Sequence, residues 1–116
     1  MTPPRPGWPA SPAEPDHVLA AMADPTRRQL LATLAATGPA TATKLAADLP
    51  VSRQAVTKHL AILRNAGLVA SRKEGRDVLF AVRTHGLTET AGWLAALAAE
   101  WDGRLAAIKR IAESGS

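Results

Sequence analysis

The chain has 116 residues and a net charge of +4, with 47% apolar residues but only 3% aromatic ones. That length fits one domain with short tails, and an apolar fraction built largely on alanine favours closely packed helices. With no cysteine there can be no disulfide, thiolate nucleophile or thiolate metal site. No apolar run reaches membrane-spanning length.

Met1 to Pro15 holds six prolines, which neither a helix nor a ladder tolerates, so residues 1–15 are expected to form a disordered tail. The tail lacks the apolar core of a signal peptide, and the expected location is the cytoplasm. Trp8 is read as an exposed tail residue.

Asp16 is placed to cap a short helix carrying Val18, Leu19 and Met22. Asp24-Pro25 is a second start signal, a capping acid followed by proline at the first helical position. That helix should turn Leu30, Leu31 and Leu34 inward, run to about Ala36 and stop at Gly38-Pro39. Thr41 can cap a third, short helix with Leu45, Ala46 and Leu49.

After Pro50, Ser52 caps a fourth helix reaching about Ala66, with Gly67 placed as its left-handed C-terminal cap. Val56, Leu60 and Leu63 recur at the spacing of a core-facing stripe. Between them stand Ser52, Arg53, Gln54, Thr57, Lys58 and His59, a dense set of polar side chains on a well-anchored helix.

The period then changes from helical to alternating. Leu68 to Lys73 and Asp77 to Arg83 read as two strands, with Val78, Phe80 and Val82 on one face and Glu74-Gly75 as the turn. Arg72, Lys73 and Arg76 crowd the tip, where a turn requires only the glycine.

The last segment is the most regular. Leu87, Ala91, Leu94, Ala98, Trp101, Leu105, Ile108 and Ala112 alternate steps of four and three, the pattern of a helix–helix seam. Trp93 and Leu97 widen it. A helix of about 25 residues would be about 38 Å long, more than this small body needs to cover its own core. A second copy is the expected partner, with Leu87, Ala91, Leu94, Leu97, Trp101, Leu105 and Ile108 as the interface. Residues 113–116 are left as a tail.

Charge localises the function. Between Ser52 and Arg83 seven basic residues face two acids, while the rest of the chain holds seven basic and eight acidic residues. Such a surplus attracts a polyanion. Two helices joined through Leu49-Pro50-Val51 have the dimensions of a helix-turn-helix, and the basic-tipped hairpin after them completes a winged helix. The expected fold class is therefore mainly α with a small β-hairpin and a long C-terminal dimerisation helix. The expected partner is double-stranded DNA, contacted by Ser52, Arg53, Gln54, Thr57 and Lys58 from the helix and by Arg72, Lys73 and Arg76 from the wing, with His59 either touching phosphate or packing half-buried.

The phrases "MADPTRRQLLATL", "LPVSRQAVTKHLAILRNAGLV" and "SRKEGRDVLFAV" resemble the ArsR family of dimeric winged-helix repressors, over about Asp16 to Ala112. The resemblance implies a homodimer, paired through its terminal helices, that represses by occupying a palindromic promoter site. Metal-sensing members use cysteines near the reading helix, or histidine and carboxylate ligands on the terminal helix. This chain has no cysteine and no histidine from Leu87 onward, with His85 standing alone just before that helix and His17 similarly isolated. Neither a metal nor a cofactor is expected. The alternative class is a winged helix that binds protein through the same surface, against which the basic surplus argues. An enzyme is more distant, since His17, His59 and His85 lie on separate elements without paired carboxylates. The sequence names no inducer: a small molecule entering between helices, a partner protein and none at all fit equally well.

Overall fold

The computed structural model describes residues 14–114; the expectations for Trp8 and for most of the proline-rich tail lie outside them. Five helices and one hairpin follow in the order α1 (Pro15–Met22), α2 (Pro25–Thr37), α3 (Ala42–Ala47), α4 (Arg53–Asn65), β1 (Val69–Glu74), β2 (Asp77–Val82) and α5 (His85–Ser114). This is a winged helix-turn-helix with a long terminal helix.

Three helices begin where a side chain can accept one of the orphan amides of the first turn. Asp24 Oδ1 accepts from the Arg27 amide, Thr41 Oγ1 from that of Lys44 and Ser52 Oγ from that of Ala55, each at 3.1 Å. The first helix departs from expectation. Its N-cap is Glu14, Pro15 occupies the first turn, and Asp16 lies inside it beside the positive end of the helix dipole. Pro15 therefore belongs to the helix rather than to the tail. At the far end of α4, Gly67 adopts φ 79°. The Leu68 amide donates to the Leu63 carbonyl at 2.9 Å and that of Gly67 to Arg64 at 3.0 Å. This pair of bonds is a Schellman motif, and it reverses the chain into β1.

The hairpin pairs Val69 with Val82 through to Glu74 with Asp77. Its two-residue turn is Gly75-Arg76, one position later than expected, with φ 63° at Gly75 and no positive φ at Arg76. Glycine at the first central position suits a type II′ turn. Phe80 is buried and bridges Ala40 through reciprocal backbone bonds of 2.9 and 3.1 Å. Val78, expected on the same face as Phe80, is exposed because the wing has by then left the body.

Leu30, Leu60, Leu63, Leu68, Val18, Val56 and Val69 are fully buried and form the centre of one core. α5 leaves that core early. Gly86 and Thr90 are buried and Leu87 packs against the core, yet every residue from Ala91 to Ala106 is exposed. Leu87, expected at the dimer seam, is thus engaged with its own domain. The helix is also longer than expected, at 30 residues, about 45 Å. It takes in Glu113 and Ser114 from the expected tail. His85 begins it and pairs with Glu89 at 2.8 Å, so it is not an isolated surface residue.

Candidate nucleic-acid interface

Because α4 turns about 100° per residue, its faces can be assigned from the buried stripe of Val56, Leu60 and Leu63. Gln54, Lys58, Ala61 and Asn65 lie opposite that stripe. Thr57 and Arg64 fall on one flank, and His59 and Ile62 on the other. Arg64 donates to the Ser71 hydroxyl at 3.3 Å, so the Thr57–Arg64 flank faces the wing. The other flank faces α1 and α2.

Ser52, Arg53, Gln54, Thr57 and Lys58 are all exposed, and they occupy the end of the helix that points amides outward. Two of them have prior commitments. Ser52 Oγ accepts the capping bond, leaving its hydroxyl proton for an outside acceptor. The Thr57 hydroxyl donates to the Arg53 carbonyl at 2.9 Å, leaving its lone pairs and methyl group. Among the described residues none bonds to the side chains of Arg53, Gln54 or Lys58, whose donors remain for a partner.

His59 is half-buried on the flank away from the wing. Its Nδ1 stands 3.4 Å from an Arg27 guanidinium nitrogen. This places it among the residues that hold the helix and away from the exposed reading set, because its ring is drawn toward α2.

Within the wing, Arg72 NH2 pairs with Glu74 Oε2 at 2.9 Å, so its charge is shared inside the hairpin. Among the described residues Lys73 and Arg76 enter no ion pair, and both are exposed at the tip. The wing thus offers two uncompensated cations rather than three. No group of three or more metal-ligating side chains occurs among the described residues.

Arg27 is the residue that sequence reasoning passed over. Its Nε donates to the Ala21 carbonyl at 2.6 Å and NH2 to that of Ala20 at 3.2 Å. Arg28 NH1 donates to the Met22 carbonyl. Together the two arginines cap the C-terminus of α1, where cations are favourable. A signal was available, since two adjacent arginines at the start of a helix oppose that helix's own dipole. Asp24 completes the corner: the Arg27 amide donating to its carboxylate holds its pKa below the ordinary 3.8. Beside this corner a groove of about 320 Å³ is lined by His17, Ala20, Ala21, Arg27, Ile62, Asn65 and Ala66.

Residues 22–72, from the last turn of α1 to the wing, match the helix-turn-helix domain family. An ArsR-like transcriptional regulator from Rhodococcus sp. RHA1 superposes with a TM-score of 0.77 at 45% identity, covering 84% of this chain and 91% of that one. The chain belongs to the ArsR family of winged helix-turn-helix transcriptional regulators. The HTH-type transcriptional regulator Rv2034 of Mycobacterium tuberculosis is 44% identical over 73 residues, 63% of this chain and 67% of its own length. The transcriptional repressor SdpR of Bacillus subtilis is 29% identical over 68% of this chain and 87% of its own. These relatives are regulators, not enzymes. No described helix is long and apolar enough to cross a membrane.

Proposed function

We propose that this ArsR-family regulator is a homodimeric repressor that occupies a palindromic promoter site. Ser52, Arg53, Gln54, Thr57 and Lys58 enter the major groove, while Lys73 and Arg76 follow the backbone beside it. The observation that carries the reading is the outer face of α4. Its donors are exposed and largely uncommitted, while its opposite face is locked into the core.

Dimerisation rests on α5. Trp93, Leu94, Leu97, Trp101, Leu105, Ile108 and Ile111 are between 36% and 71% exposed, and a run of apolar side chains of that extent marks an interaction surface. A second copy supplies the missing cover along Ala91, Leu94, Leu97, Trp101, Leu105 and Ile108, and its two-fold axis presents two reading helices to one duplex. Repression follows from occupancy: a protein seated on promoter DNA excludes other proteins from it. The similarity to a transcriptional repressor supports that sense of regulation, and the place of action in this reading is the cytoplasm.

The test is binding to duplex DNA taken from upstream of the protein's own reading frame, titrated against salt. With roughly 6–10 phosphate contacts per dimer, the log–log slope should be about −5 to −9. A flat titration would reject DNA as the partner.

A further inference from the structure

We infer that Arg27, a largely buried residue of α2 whose guanidinium is engaged inside the protein, sets the roll of the reading helix through His59 and is thereby a positioning residue for sequence discrimination. The inference rests on α4 being the reading helix. The Arg27 side chain is only 15% exposed and its guanidinium serves three elements at once. Nε and NH2 hold the Ala21 and Ala20 carbonyls of α1, and NH1 meets His59 Nδ1 on α4 at 3.4 Å. Asp24 Oδ2, 4.0 Å from NH1, keeps the charge in place.

The need for such a tether follows from how α4 is held. Val56, Leu60 and Leu63 fix its depth and which face is buried, but apolar contacts are non-directional, and a small roll changes little of the buried area, so they set the angle only coarsely. Hydrogen bonds are directional. Among the described residues, two run from α4 side chains to other elements, on opposite flanks: Arg64 to Ser71 toward the wing, and His59 to Arg27 toward α2. A pair on opposite sides constrains roll, as one alone would not. Bidentate pairing to a base edge demands angular accuracy, whereas attraction to phosphates is long-ranged and tolerates rotation.

The experiment compares affinity for a duplex selected by the parent protein with affinity for a scrambled duplex of equal length. The parent is set beside Arg27→Gln, His59→Leu and His59→Asn, with thermal melting of each. Arg27→Gln and His59→Leu should lower the ratio of the two affinities about tenfold, the effect of losing about one base contact, with binding to the scrambled duplex unchanged. His59→Asn, which keeps an acceptor near the Nδ1 position, should retain the parental ratio. His59→Leu leaves the caps on α1 in place, so it reads the tether even if Arg27→Gln unfolds. Parental ratios in Arg27→Gln and His59→Leu, or an equal fall on both duplexes, would overturn the inference. A parent that shows no preference among duplexes would overturn the reading-helix assignment itself.

Discussion

Replacing Trp101 with aspartate should convert the protein to a monomer. Trp101 sits midway along the uncovered part of α5, is 52% exposed and stacks beneath Arg104, whose guanidinium carbon is 5.4 Å from the ring centroid. A fully exposed tryptophan offers up to about 250 Å², so about 130 Å² remains for a partner to cover. At ~25 cal/mol per Å² that is about 3 kcal/mol per protomer, and about 6 kcal/mol for a symmetric pair. Desolvating two carboxylates in the seam adds to the penalty. The dissociation constant should therefore rise by at least about four decades. Sedimentation should show a dimer for the parent and a monomer for Trp101→Asp at equal concentration. An undiminished dimer would refute the reasoning, since no route leaves a charged pair at the centre of that seam without cost.

Lys73→Ala and Arg76→Ala should weaken binding to selected and scrambled duplexes alike, because backbone contacts carry little base information; a changed sequence preference in a binding selection would contradict this. Asp24→Asn retains a capping acceptor but cannot titrate. The folded carboxylate has its pKa below 3.8, so its contribution is present above that value and is lost as the pH falls through the lower, folded one. The parent should thus lose stability over that acidic interval by a step that Asp24→Asn lacks in acid-unfolding curves, and coincident acid limbs would contradict the assignment.

What the sequence made legible is what neighbouring residues decide. Asp24, Thr41 and Ser52 cap helices three residues ahead of themselves, and Gly67 turns the chain with partners no more than five residues away. The uncovered length of α5 was visible because the apolar repeat outruns any body this chain could build. The repeat could not say which partner covers each residue. Leu87 carries the same pattern as Leu94, but it lies on the core while Leu94 is exposed. Arg27 was half legible: two adjacent arginines at a helix start point to outside acceptors, but the sequence does not say which. Its carbonyl partners lie six and seven residues back on another helix, and His59 stands 32 residues ahead. A run of charge likewise conceals which cations are already paired, as Arg72 is with Glu74.

The central proposal is that the outward face of α4 reads DNA, and selection from randomised duplexes tests it most directly. Two copies related by a two-fold axis should enrich an inverted repeat with half-site centres about 10–10.5 base pairs apart, or a multiple of that. Gln54 is exposed opposite the buried stripe and can pair bidentately with adenine, a contact worth about 1–3 kcal/mol of discrimination. Gln54→Ala should therefore flatten the preference at one position in each half-site and leave nonspecific affinity nearly unchanged. Identical preferences from the parent, Gln54→Ala and Thr57→Ala would contradict the account.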